Sequence, residues 1–576
     1  MGSGRQPHTG ISKRRCAIYA IVLALLCAAP VFSFIATASD AYLRGLPFLA
    51  YFAYKRPTAY VFAALAFVCI AAGSYLFFSK GATWLSRCDR IKPPRLLNLH
   101  FSRQSILRTA LIIYIFWIPV LVVLFPCATT SYDTIDELYQ ALSDPPIWYF
   151  STDTVVDASI IDHHPWFDTL LFGAFAWLGR SVGSISAGMF LYGLIQTILS
   201  ALIMAACLCY LERLRVPAVL RIVALAFVIL FPIFPATADT MQKDSPFSLA
   251  FLAYALMYME AFRTHGKALT RKKFLIGFAL AIALCILTKK TGVYVVGLST
   301  IVLIIALRGV RLRSLLSYAL PAIVCLGVLP AILFPALNIV PGGSQEMFGI
   351  MYQQTITVLK KDPDSVSDEQ RASIERVLDV DAALENYKPY VTDYVKHWAK
   401  EDADASDMRS FISTWASLGA SHLGLYLQSI ASCVSPMMVP SESLLININV
   451  SQDGIEYYEQ HDAEIGGSFE LDVESPPETQ VIAIALARFY LMVLRCIPVI
   501  SLLFTMGLYS TWIPLFALFT ALVSRRRRDA CALAPIIASA LFLLVSPTSL
   551  PRYVICMVFV AVPAIGWAIR CLREAR

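Results

Sequence analysis

Charge is scarce in this chain. Only 15% of its 576 residues are Asp, Glu, Lys or Arg, while 58% are hydrophobic and the mean hydropathy is +0.65. Soluble domains carry about 25% charged residues. The shortage excludes an ordinary soluble enzyme, a disordered chain and a disulfide-stapled secreted scaffold. No CxxC spacing occurs among the 14 cysteines, most of which sit in apolar runs, as Cys207, Cys209, Cys285, Cys325 and Cys556 do. That excludes the usual zinc and disulfide frameworks. There is no internal repeat and no low-complexity tract.

What the chain has instead is long apolar runs. They fall near 16–38, 58–79, 110–128, 185–211, 217–236, 245–262, 272–288, 292–308, 314–336, 498–523, 530–547 and 554–571. Each approaches the roughly 20 residues that a spanning helix needs. The reading is an all-α polytopic membrane protein of about twelve spans, its first run a signal anchor behind a basic N-terminus. Charge is also unevenly spread. Residues 337–484 hold 24 acidic and 8 basic residues, a net of −16, whereas the remainder holds 16 and 39, a net of +23. An acidic block beside a basic remainder points to two compartments, not to nucleic acid.

Lys and Arg set the orientation. The N-terminus, the loops 80–108 and 263–273, the turn 308–313, the Arg525–Arg528 tetrad and the C-terminus are basic and expected to be cytoplasmic. Segments 109–179 and 410–487 contain no Lys or Arg and are expected outside. Parity then makes 165–179 and 482–496 interfacial helices on the outer face. The expected organisation is an N-terminal helix pair and basic loop over 1–109, and a membrane core over 110–336 with an outer loop at 129–184. An acidic outer segment over 337–497, ending in an interfacial helix, and C-terminal spans over 498–576 complete it. Within the acidic segment, Ser367–Gln370 reads as a capping box, 409–430 as an amphipathic helix, and 444–450 and 466–473 as short strands.

Several polar residues break this pattern. Asp133, Asp136 and Glu137 fall at i, i+3 and i+4, one helical face just after a span ends. Gathered like charges shift each other's pKa, so any of the three can be a base. Asp162-His163-His164-Pro165 closes the same loop; capping and turn roles compete there with metal binding, and adjacent His side chains diverge. Lys243 and Asp244 stand at the mouth of one span, Lys289 and Lys290 between two others, and Arg552 between the last two. Three loops thus carry cations on the face where the positive-inside rule expects few, which suits a phosphate. Gln196, inside a span, reads as a helix–helix hydrogen bond.

These residues resemble the first outer loop and basic loops of GT-C-fold membrane glycosyltransferases, which use lipid-linked sugars outside the membrane. Asp133 in Tyr132-Asp-Thr134 matches their catalytic aspartate, and His163-His-Pro-Trp166 the start of their juxtamembrane helix. Lys289-Lys-Thr-Gly292 and Pro551-Arg-Tyr553 are similar to the loops that approach the lipid phosphate. Gln353-Gln354, the Ser367 helix, Tyr387-Lys-Pro-Tyr390, Lys396 and the Trp415 helix resemble an uncharacterised bacterial branch of such proteins. The resemblance implies a GT-C-like multi-pass protein of the bacterial cell membrane, both termini cytoplasmic, working in cell-envelope glycan assembly. It implies a polyprenyl-phosphate sugar donor and a glycan, lipid or protein acceptor. Lys289, Lys290 and Arg552 would neutralise the departing phosphate, and Asp133 would deprotonate the acceptor in one inverting displacement. His163, His164, Lys243 and Asp244 would line the substrate site. No cofactor is expected, although the carboxylates leave a divalent metal open. Two other classes stay open: a flippase for a lipid-linked glycan, and an envelope assembly protein that binds a partner through its acidic segment.

Overall fold

The computed structural model describes residues 11–37, 58–91, 94, 97, 99–129, 131–343, 345–439, 444, 450–473 and 476–575. It is a helical membrane protein, with 77% of the described residues in helix. Among the described residues, seven helices are long and apolar enough to cross a bilayer: Lys13–Val31, Ala63–Cys88, Arg103–Val123, Ile185–Arg213, Arg308–Ala336, Arg527–Val545 and Pro551–Arg573. Shorter apolar helices cover Ala218–Leu230, Gly292–Ala306 and Leu508–Val523. Their outward faces present Leu65, Leu111, Ile115, Ile305 and Ile323, all more than half exposed. In a water-soluble protein such faces would be covered; here lipid is their natural solvent. All 14 cysteines are free thiols.

Burial ranks the helices. Pro551–Arg573 is 94% buried over its apolar window and is the axis of the bundle, whereas Arg308–Ala336 is 11% buried and rides on the rim. The axial helix packs mainly against Asp244–Arg263 and the 513–523 helix. Pro551 opens it, its fixed φ and missing N–H costing nothing in a first turn.

The segments outside the spans are built onto the bundle. Residues 132–142 form a short helix directly beyond Arg103–Val123. An antiparallel hairpin, Ile147–Tyr149 with Thr154–Val156, follows it. Ile160–Asp162 then pairs in parallel with Ile339–Pro341, which ties the first loop to the start of the acidic segment. The two apolar stretches at 165–179 and 482–496 are helices Trp166–Ser181 and Pro477–Cys496, and neither is among the seven.

Within the acidic segment the Ser367 capping box forms, with Ser367 Oγ accepting from Gln370 N and Gln370 Oε1 from Ser367 N. The stretch expected as one amphipathic helix over 409–430 is two, Ala405–Ser421 and Leu423–Met438, parted at His422. Residues 466–473 are not a strand. Their alternation is real, with Phe469, Leu471 and Val473 buried and Glu470 and Asp472 exposed. The backbone N–H groups find carboxylates instead of a ladder: Phe469 N donates to Asp462 Oδ2 at 2.7 Å and Leu471 N to Glu459 Oε1 at 3.0 Å. The strand expected at 444–450 lies mostly outside the described residues.

Candidate functional site: a charged cluster where the helices end

The loop helix Tyr132–Leu142 is held at its first turn by the stretch that precedes Lys243. Met241 N donates to Ala128 O at 2.9 Å, and Thr134 Oγ1 donates to Met241 O at 2.8 Å. These bonds fix Lys243 beside Asp133. Asp133 Oδ2 accepts from Lys243 Nζ at 2.8 Å and from Arg552 Nη1 at 2.6 Å. One carboxylate oxygen thus carries two cations from two distant loops. Arg552 stands on the first turn of the axial helix, so its place is fixed by the best-buried element of the bundle.

A second layer surrounds this trio. Lys243 Nζ donates to His164 Nδ1 at 2.7 Å, which assigns the proton of that ring to Nε2, 3.4 Å from Asp136 Oδ2. Asp136 Oδ2 also accepts from Gln140 Nε2 at 2.7 Å, and Gln140 Oε1 accepts from Ile161 N. The His163 ring packs edge-to-face on that of His164, centroids 4.6 Å apart and planes at 85°, and its Nδ1 sits 3.1 Å from the Tyr149 hydroxyl. Lys289 pairs with Asp244, with its ammonium 5.5 Å from the Tyr553 ring centroid; Arg552 lies 5.3 Å from the same ring. Lys290 pairs with Asp162 at 3.3 Å. Asp162 also caps the helix Trp166–Ser181, accepting from Trp166 N at 3.2 Å.

All ten sequence-derived candidates therefore belong to one neighbourhood, and Asp133, Lys243 and Arg552 are its centre. Lys289 and Lys290 are one step removed, each on its own carboxylate. Among the described residues no group of His, Cys, Asp and Glu has the arrangement to hold a metal ion.

Three buried polar groups went unread in the sequence. Asp168 and Asp239 are fully buried with no hydrogen-bond partner on either carboxyl oxygen, a state they share with Glu137, which its spacing had already singled out. Asp168 follows Pro165 at a helix start, a position that reads as a dipole-compensating acid. Tyr458 is the third kind of omission. It comes from the acidic segment, where its ring stacks on Tyr139 at 5.0 Å and its hydroxyl meets the Asp136 carboxyl. No local pattern links 458 to 136.

The electrostatics separate the acids. Burial acts to raise Asp133, but the Lys243 and Arg552 charges outweigh it and hold the carboxyl well below the usual range. Repulsion from Asp136 and Glu137, expected from their spacing to raise Asp133, is overruled by these contacts. Burial, helped by the Asp133 charge, pushes Asp136 up to about 7. Burial also pushes Glu137 and Asp168 well up, each aided by neighbouring acids. Burial and the Lys243 charge keep His164 neutral, and His163 is lowered to about 3 for the same reasons.

The arrangement is that of a helical membrane protein whose charged centre lies where several helices end or begin. The chain belongs to a family of unknown function, DUF6020, whose model matches residues 94–433, more than half its length. That span includes Asp133, His164, Lys243 and Lys289 and stops short of Arg552. No curated protein and no solved structure matches the chain.

Proposed function

We propose that this protein is a membrane glycosyltransferase of GT-C type, with about twelve spans, that moves a sugar from a polyprenyl-phosphate donor to an acceptor outside the cell membrane. The observation that carries the reading is the Asp133 carboxylate held by Lys243 and Arg552 at helix ends. An anionic leaving group needs cations at a membrane boundary, and an attacking hydroxyl needs a carboxylate beside them. Both are present within hydrogen-bonding distance. Asp133, Lys243 and Arg552 side chains are 17–19% exposed and open to solvent, whereas Asp136 and Glu137 are sealed. The donor tail would run between helices, with its phosphate meeting Arg552, Lys243 and Lys289. Asp133 would take the proton of the acceptor hydroxyl as that oxygen attacks the anomeric carbon, inverting it.

A flippase fits less well, because its charges belong within broken spans, whereas these gather at helix ends. A partner-docking role for the acidic segment is weakened by its internal engagements. Tyr458 lies on the loop helix, Thr392 N donates to Pro547 O, and Ser549 Oγ donates to Cys433 O. The test is transfer of radiolabelled sugar from a polyprenyl-phosphate donor by purified protein in detergent, where no sealed bilayer exists. Transfer or slow donor hydrolysis supports the reading. Protein that neither binds nor turns over any polyprenyl-phosphate sugar overturns it.

A further inference from the structure

We infer that Lys243 and Arg552 form an oxyanion site whose resident occupant is the Asp133 side chain, and that a phosphate or pyrophosphate ester enters by displacing it. The chemical origin of that ester, a lipid headgroup, rests on the transferase reading; the site itself does not.

Pairing in the cluster is unequal. Lys289 has Asp244 and Lys290 has Asp162. Lys243 and Arg552 share a single carboxylate, and both lean on the same oxygen, at 2.8 and 2.6 Å. Counted together, one carboxylate and two cations leave the trio with one surplus positive charge. Arg552 also keeps a buried Nε with no partner. The phosphodiester of a polyprenyl-phosphate sugar offers one negative charge and two acceptor oxygens, one for each cation, and breaking its bond to the sugar adds a second charge and a third oxygen, which answer the surplus and the idle donor. One carboxylate oxygen cannot do so.

Exchange also resolves a chemical difficulty. A carboxylate bound by two cations is a weak base. Once the phosphate takes Lys243 and Arg552, Asp133 is released from both and regains proton affinity. Donor binding then precedes and creates the base. In the step that follows, the acceptor O–H proton passes to Asp133 and the oxygen bonds the anomeric carbon. The bond from that carbon to the phosphate oxygen breaks with its electron pair, which stays on the phosphate between Lys243 and Arg552.

The test is anion affinity of full-length protein in detergent, with inorganic pyrophosphate and a polyprenyl phosphate in mixed micelles as separate probes. Opposed like charges at close range cost several kcal/mol, so Asp133→Asn is expected to bind tighter by about tenfold or more. Lys243→Ala and Arg552→Ala lose binding, and Lys289→Ala loses less. Tightening in the micelle arm alone assigns the site to a lipid headgroup; tightening in both arms assigns it to the phosphate group itself. Folded Asp133→Asn that binds both probes no better than the parent overturns the inference. If that variant does not fold, Asp133→Ser removes the same charge and is read the same way. Tightened anion binding by a protein that transfers no sugar from any donor would leave the exchange standing and remove the transferase reading.

Discussion

The two ends of the bundle treat charge in opposite ways. At the end carrying the basic loops, each buried carboxylate is matched. Glu260 accepts from Arg263 Nε and Nη2, at 2.6 and 2.7 Å, and also from Arg213 and the Tyr210 hydroxyl. Arg526 bridges Asp529 and Glu574, and Arg573 grips Asp89 with two bonds. None of these acids has an unpartnered buried oxygen. At the other end Glu137, Asp168 and Asp239 have no partner, while Asp133 has two. Unpaired buried acids cost stability. Among the described residues the buried acids are satisfied at one end and not at the other, and perturbed acids of this kind cluster at functional sites.

The comparison breaks first at Asp133. Asp133→Asn keeps the shape and removes the proton acceptor, so sugar transfer should fall by about 10²–10⁴-fold in folded protein. Asp136→Asn and Glu137→Gln should reduce it less. Equal activity in all three variants would mean that this end carries no base. At the matched end, Glu260→Gln should lower stability by about 1–3 kcal/mol, read as a lower melting temperature in detergent. Transfer per folded molecule should stay unchanged. A Glu260 variant that melts normally but loses transfer would reverse the assignment of the two ends.

Acidity sharpens the contrast. Asp136 holds its proton up to about 7 in the folded state, whereas in the unfolded chain it releases it near the ordinary aspartate value of about 4. Between these values the folded state binds more protons, so this residue makes stability fall as pH rises from about 4 to 7 and level off above. Asp136→Asn should flatten that part of a melting profile. A slope that survives the substitution would assign it to other acids. The smallest effect is expected from Arg371 and Glu375, an exposed i,i+4 pair on the acidic segment. Glu375→Ala should cost no more than about 0.5 kcal/mol by the same melt.

The sequence disclosed what charge alone can disclose. Asp133, Lys243, Lys289, Lys290 and Arg552 are conspicuous because each is polar at an apolar boundary, and they converge. Which cations share a partner was hidden, since Lys289 and Arg552 look alike in a loop but differ in whether a second carboxylate stands beside them. Asp168 was hidden by an ordinary explanation, and Tyr458 by the distance along the chain. The 466–473 stretch shows the limit of periodicity. Alternation reports which side chains are buried, and says nothing about whether another strand, or a helix carrying Glu459 and Asp462, receives the backbone.

The Asp133–Arg552 contact joins residues 419 positions apart. Chains are made from the N-terminus and their parts fold in that order, so the loop helix and Lys243 are in place long before residue 552 leaves the ribosome. The charged centre is finished only when the helix Pro551–Arg573 has been made. A chain that stops before Pro551 lacks the second cation on Asp133. Assembly of the site therefore waits on a helix made hundreds of residues after Asp133.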